Sequence, residues 1–323
     1  MKTRKEKRVP ALSLGEFSHK RAEAKRSLQQ FSTAELYQVA TRHFLRFVQN
    51  PQFSLQEITL TVVADFTVYL RQQGLSANTV NTYLSSIRAI YNAAVDLGLV
   101  HHRQYPFKGL KLQRAATRKR AIPETYIRQI AQIPTLGNQQ RELAIDISVF
   151  CFLACGMPFV DIAYLTKKNI RDNELVYRRR KTGSSIRIEI TAGMWHLIRK
   201  YEPKEGNDRE YLFPILPASS ANYTQYKHCL ASHNQEMKKI GQELQLPDKF
   251  TSYVIRHSWA SAALRCDVPV AVISQALGHT SEKTTRYYLN ELDSSDLTRA
   301  NRKVSGKIDL LLTQNTGKEY SYL

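Results

Sequence analysis

The sequence predicts a mainly α-helical protein of two domains that carries one small antiparallel β-sheet. Three observations predict it. The chain has 323 residues, beyond the size at which a single hydrophobic core keeps growing, so two cores are expected. Apolar residues recur at helical spacing along most of its length, and in one stretch, ELVYRRRKTGSSIRIEI, the period changes to two. A composition of 42% hydrophobic and 23% charged residues is that of a folded chain.

Taken in order, residues 1–26 carry nine Lys or Arg with little apolar periodicity and read as a basic arm or a solvated tail. From Leu36 the positions Val39, Ala40, Phe44, Phe47 and Val48 continue a helical stripe, and Val62, Val63, Phe66, Tyr69 and Leu70 form a second. After Gly74, Ser76 opens a third and longest pattern through Val80, Leu84, Ile87, Tyr91 and Leu97, closed at Gly98. These stripes predict a small all-helical domain over 27–107. Its exposed face is expected to carry Arg71, Asn78, Asn81, Thr82, Ser85, Ser86 and Arg88, residue types suited to phosphate and base contacts and equally to solvent.

Residues 108–121 are basic, lack a core stripe and lead to Pro123, which predicts an interdomain linker. A second domain is expected over 122–304. Within it Leu175 and Tyr177 alternate with polar residues, Thr182-Gly183 supplies turn chemistry, and Ile186, Ile188 and Ile190 alternate again, which predicts a β-hairpin. Arg178 and Arg180 beside the turn read as DNA-contacting residues, or together with Arg179 as a solvated strand edge. Trp195 and Trp259 read as core or interface anchors. Residues 305–323 hold a short apolar block, Ile308 and Leu310 to Leu312.

Forty-seven basic against 28 acidic residues leave a formal charge of +19, which calls for a polyanionic partner, nucleic acid before membrane. The longest apolar stretch, Leu143 to Met157, is interrupted by Asp146 and too short to span a bilayer, and the N-terminus lacks a signal-peptide apolar block. A cytoplasmic, nucleoid-associated location is therefore expected. Cys151, Cys155, Cys229 and Cys266 include no C-x-x-C pair, so no metal site is expected.

The chemistry sits in an ordered set: Lys181 at the hairpin turn, then YVIRHSWA with Tyr253, Arg256 and His257, then LGHTSEKTTRYY with His279 and, nine residues later, Tyr288. This order resembles the tyrosine recombinases, also called the phage integrase family. The turn lysine, the His-x-x-Arg-His box and the Leu-Gly-His box followed by a tyrosine each have a counterpart. The segment LSANTVNTYLSSIRAIYNAAVDLGLV with Pro106-Phe107 is similar to the family's core-binding domain. The resemblance implies a helical core-binding (SAM-like) domain and an α+β catalytic domain that together clamp DNA. It also implies a Tyr288 nucleophile and catalytic roles for Arg256, His279, Lys181 and Tyr253. Arg71, Asn78, Asn81 and Arg88 on the exposed face of the first domain and Arg178 and Arg180 beside the hairpin turn are the candidate DNA contacts. His257 reads as a structural histidine bordering the site, and Tyr287 is the nucleophile only if the helix register differs by one. Two departures stand out. Pro158 and Cys155 occupy the positions where the family places its first catalytic arginine, although Asp161 matches the acidic position. Tyr253 stands where the box has histidine.

Those residue types make chemical sense together. Metal-free phosphodiester cleavage needs a nucleophile, neutralisation of the nonbridging oxygens and a proton for the departing 5′-oxygen. A phenolate, with reference pKa near 10, is attainable in a positive site and is a fair leaving group on reversal. The bond energy stays in the phosphotyrosine, so neither a metal nor a nucleotide cofactor is expected. The expected function is site-specific recombination, whether integration, excision or inversion, through a 3′-phosphotyrosine and a Holliday junction. Left open beside it are a topoisomerase-like enzyme resealing one duplex and a catalytically impaired DNA-binding member. The resemblance further implies specific double-stranded DNA sites, a tetramer in synapsis that exchanges residues 305–323 between subunits, and an accessory DNA-bending protein as a candidate partner.

Overall fold

Four amphipathic helices account for the first core: α1 (Leu14–Ser27), α2 (Phe31–Val48), α3 (Leu60–Gln72) and α4 (Ala77–Asp96). The computed structural model describes residues 12–102, 104–110, 120–135, 137–203, 209–217, 221–246, 249–289 (287–289 as backbone) and 305. It divides into two units, Met1–Thr117 and Arg118–Leu323. That boundary falls inside the basic stretch 108–121, of which 111–119 lie outside the described residues.

In the first unit the stripes read from the sequence do form helices, and Phe44, Phe66, Leu70, Leu84, Ile87 and Tyr91 fill its centre. Phe44 and Phe66 meet edge to face at 4.8 Å. Ser76 caps α4 by accepting from the Thr79 N–H, and the chain turns at Gly98 after the last helical residues. The segment expected to be an arm or tail is different from Leu14 onward. It forms α1, capped by Ser13, with Leu14, Phe17 and Ala22 buried in the same core. Three apolar side chains on one face suffice to dock a helix whose other faces are charged. On the face expected to meet DNA, Arg71 is exposed and Asn78, Asn81 and Arg88 are half-buried. Ser86 is the exception: it is buried and donates to the Thr82 carbonyl one turn back. Leu36, assigned to the apolar stripe of α2, faces outward.

The second unit begins with α5 (Glu124–Gln132), α6 (Gln139–Leu153) and the short α7 (Phe159–Ala163). A three-stranded antiparallel sheet follows, in the order β1 (Ile170–Arg171), β2 (Glu174–Arg178), β3 (Ser185–Glu189). The β2–β3 hairpin pairs Tyr177 with Ile186 and Arg178 with Ser185, and β1 adds a strand that periodicity did not announce. Next come α8 (Ala192–Lys200), α9 (Tyr223–Glu243), α10 (Ser252–Arg265), α11 (Val270–Ala276) and α12 (Glu282–Leu289). Phe150, Met157, Leu175, Phe213, Met237 and Ile240 form the main core here. A smaller cluster of Ala260, Ala263, Ile273 and Leu277 joins α10 to α11. Trp195 packs against the main core with its indole N–H donated to Asn173, and Trp259 packs against the small cluster. No helix among the described residues is long and apolar enough to cross a membrane. The apolar block Ile308–Leu312 lies outside the described residues.

Candidate active site

A buried arginine anchors the site. Arg256 lies in the middle of α10 with only 1% of its surface exposed. A charged side chain survives such burial only when its donors are matched. One terminal nitrogen donates to the Gly156 carbonyl at 2.9 Å in the turn between α6 and α7, and the other donates to the Leu277 carbonyl at the end of α11. Gly156 has φ +69°, and a Cβ there would stand 3.1 Å from the Arg256 Cα. Only glycine satisfies both the left-handed backbone and the close approach.

A second guanidinium reaches the same carbonyl. Arg179, just past the end of β2, is buried and donates to Leu277 O at 2.7 Å and to Gly278 O at 3.1 Å. This overturns its reading as part of a solvated edge. The Thr182 and Ser184 hydroxyls also donate to Gly278 O, at 3.0 and 3.3 Å, so the hairpin turn is latched to the start of the His279 segment. Gly278 is required here: at φ +62°, an added Cβ would meet the Arg179 Cδ and an Ile186 methyl at 3.0 Å. Two adjacent buried cations need compensation. Carbonyls at the C-terminal end of α11 supply part of it, and Asp161 in the first turn of α7 adds a carboxylate nearby. Its carboxylate accepts from the Arg180 N–H at 2.9 Å and lies 4.0 Å from Arg179 Nε. Burial pushes the Asp161 carboxyl up from its ordinary value, opposed by the Arg180 N–H and the guanidinium groups of Arg179 and Arg256.

His279 completes the cluster. Its Nε2 lies 3.3 Å from Arg256 Nη2 and its Nδ1 2.8 Å from the Thr285 hydroxyl. Burial, then the charges of Arg256, Arg179 and Lys181, push its imidazolium down to about 4, so the ring is neutral at pH 7. Lys181 itself stands exposed on the hairpin turn. Helix α12 follows His279 and carries Tyr288 in its final turn, with Tyr287 beside it; the side chains of both lie outside the described residues. Tyr253, 45% exposed at the start of α10, sets its ring edge-on to His257 at 4.8 Å. His257 is half-buried, and burial with the nearby charges of Arg120 and Arg256 lowers it to about 4. Arg178 is exposed on β2, while the Arg180 guanidinium lies 3.9 Å over the Tyr164 ring.

Three of the depressed histidines have a consequence for stability. Burial holds His233 down to about 3, and His257 and His279 both stand near 4. Between their unfolded value near 6.5 and these folded values the unfolded chain binds more protons, so stability falls as pH falls. Urea unfolding is expected to show a loss on the order of a few kcal/mol between pH 7 and pH 5. An unchanged midpoint over that range would show that these rings take up protons in the native fold.

Residues 13–112 match the phage integrase SAM-like domain, and residues 123–295 match the phage integrase family over more than half of the chain. The chain belongs to the phage integrase family. Curated relatives of this recombinase include the integrase of Escherichia phage P2, 24% identical over 72% of this chain and 61% of the phage protein. The tyrosine recombinase XerC of Agrobacterium fabrum is 25% identical over 80% of this chain and 83% of its own. Among solved structures, the Tn1549 transposon integrase in complex with a circular intermediate DNA superposes with TM-score 0.60 at 14% identity, covering 91% of this chain and 99% of that one. A lambda integrase dimer bound to a COC′ core site superposes with TM-score 0.60 at 15% identity, covering 81% and 90%. The fold and family expected from the sequence are thereby shown: this is a site-specific tyrosine recombinase, mostly helical with one small antiparallel sheet.

Within the recombinase, the structure gathers Arg256, His279 and the Lys181 turn of the expected set, and adds Arg179 and Asp161. Pro158 precedes α7 as its N-cap and Cys155 takes a left-handed backbone with φ +56°, so the α6–α7 turn contributes the Gly156 carbonyl instead of a guanidinium. Arg179 was legible in hindsight. It continues the inward parity of Leu175 and Tyr177, whereas Arg178 and Arg180 fall on the outward one.

Proposed function

We propose that this recombinase cuts specific double-stranded DNA sites through Tyr288 and rejoins them to new partners, with Arg256 and Arg179 together gripping the scissile phosphate. The observation that carries the reading is the convergence of both guanidinium groups on the Leu277 carbonyl beside His279. Two planar forks supply the paired, charge-assisted donors that two nonbridging oxygens need. The Tyr288 phenolate oxygen attacks phosphorus and the bond to the 5′-oxygen breaks. Lys181, on its exposed turn, gives that oxygen its proton, and a 3′-phosphotyrosine remains. A 5′-hydroxyl from the partner duplex then reverses the step. Exposed Tyr253, three residues before Arg256 on α10, is the proposed phenol donor to a phosphate oxygen. Position 288 lies one helical turn beyond the buried Thr285, whereas 287 does not share that face, which favours Tyr288 over Tyr287.

Arg71, Asn78, Asn81 and Arg88 of the first unit and Arg178 and Arg180 of the second are the proposed DNA contacts, so that both units act as a clamp. Stacking on Tyr164 pre-orders Arg180 for a phosphate. Four protomers on two sites form the proposed synapsis, in keeping with a structural neighbour, a lambda integrase tetramer bound to a Holliday junction. The turn lacking an arginine motivates the alternative of a catalytically impaired member, and the buried Arg179 beside Arg256 supports the active reading over it.

The test uses a nicked suicide duplex, which loses the 5′-end after cleavage and so traps the adduct. Because arginine and lysine side chains supply the positive charge in this scheme, covalent complex is expected in EDTA without nucleotide. A strict Mg²⁺ requirement for cleavage would contradict it.

A further inference from the structure

Helix α12 is held to the site through a hydroxyl. Of its side chains described, Glu282, Lys283, Thr284 and Arg286 are exposed, and Thr285 alone is buried, at 0% exposure. A core position on a short helix is ordinarily filled by an apolar residue, and a buried hydroxyl demands a partner. That partner is His279 Nδ1, at 2.8 Å. The opposite ring nitrogen settles the direction of the bond. Arg256 Nη2 lies 3.3 Å from His279 Nε2, and a guanidinium can only donate. Nε2 therefore accepts, the neutral ring carries its proton on Nδ1, and Nδ1–H donates to the Thr285 oxygen.

We propose that Thr285 is a positioning residue of the cleavage step: its hydroxyl oxygen fixes His279 in the Nδ1–H tautomer and ties the helix bearing Tyr288 to the two-arginine cluster. The inference rests on the cleavage reading above and goes beyond it by assigning His279 its direction of proton transfer. When the scissile phosphate takes the Arg256 N–H in its place, the freed Nε2 lone pair is the acceptor for the Tyr288 phenol proton. The proton moves from the phenol to Nε2, the phenolate oxygen bonds to phosphorus, and the departing 5′-oxygen is protonated by Lys181. On reversal the same proton returns to the phenol. Entry of the negatively charged phosphodiester offsets the guanidinium charges that hold the imidazolium down, so the ring becomes a better base only with DNA in place. A hydroxyl that accepts from Nδ1–H steadies the imidazolium as a second group oriented behind a catalytic histidine does.

Two variants separate this role from plain packing. Thr285→Val keeps the shape and removes the hydroxyl, while Thr285→Ser keeps the hydroxyl and removes a methyl. Adduct formation is followed in a single turnover on saturating suicide DNA, with DNA affinity measured alongside. Valine is expected to slow cleavage on the order of 10- to 100-fold at unchanged affinity, the range seen when a group orienting a histidine is removed, and serine to stay within about threefold of wild type. Equal rates for valine and wild type, or equal slowing by valine and serine, would overturn the proposal. The tautomer is read independently of any variant from the ¹⁵N shifts of His279 in the DNA-free wild-type protein. A protonated Nδ1 and bare Nε2 are expected, and the reverse pattern would overturn the assignment even if valine fails to fold. Absence of adduct from the wild-type control would instead overturn the cleavage reading on which the proposal rests.

Discussion

Substituting Tyr288→Phe is expected to abolish covalent DNA adduct, lowering its formation by at least about four orders of magnitude, while DNA affinity changes by less than about twofold. The two effects separate because they draw on different parts of the molecule. Affinity for a polyanion comes from the excess positive charge and many phosphate contacts, to which one phenol oxygen adds little. Cleavage has no other nucleophile in the proposed scheme, in which the energy of the broken strand is stored in the bond to Tyr288. The neighbouring Tyr287→Phe is the internal control and is expected to retain adduct. Loss of adduct in that variant alone would shift the helix register by one residue and reassign the nucleophile.

The second large effect is expected at Arg179. Arg179→Met is expected to lower single-turnover cleavage by roughly 10²- to 10³-fold on saturating DNA, the range for removing one positioned donor from a developing oxyanion. Arg179→Lys is expected to recover little, because Nη1 alone holds Leu277 O and Gly278 O, and an ammonium in its place lacks the second arm of the planar fork that a phosphate needs. Part of any loss could come from unlatching the hairpin, so thermal unfolding is measured on the same proteins. Arg178→Met, on the exposed parity of the same strand, is the comparison: it is expected to weaken DNA binding without slowing cleavage once DNA saturates. Wild-type cleavage by a folded Arg179→Met protein would show that the phosphate is held without it.

Much of this fold could be read from the sequence because burial imposes a period. The stripes through Phe44, Phe66 and Ile87 mark helices that line one core, and Tyr177 and Ile186 mark a hairpin whose register pairs them. Helix α1 escaped the same reading because its buried face is narrow: Leu14, Phe17 and Ala22 are separated by charged residues that dominate the composition. Strand β1, two residues long, is too short to show any period.

The site divides in a similar way. Tyr288, Arg256, His279 and Lys181 are candidates that order and spacing name, since each sits in a recognisable local phrase. Arg179 did not, because its role depends on the strand carrying its inward parity one residue past the last ladder pair, to a carbonyl 98 positions away in sequence. Thr285 was hidden for another reason. A threonine in a helix has many bland uses, and only the packing of α12 shows that its hydroxyl meets His279. Asp161 was noted as an acidic match, and the fold shows what it does there: it holds the Arg180 backbone and offsets two buried cations.

The most direct measurement is to locate the covalent bond itself. Adduct formed by the wild-type protein on a nicked suicide duplex can be digested with nuclease and trypsin, leaving a nucleotide remnant on one peptide. Cleavage after Arg286 and Arg299 releases YYLNELDSSDLTR, which begins with both candidate tyrosines and whose fragment ions distinguish them. The account expects the remnant on Tyr288, joined through a 3′-phosphate. A remnant on Tyr287, on any other residue, or joined through a 5′-phosphate would contradict it.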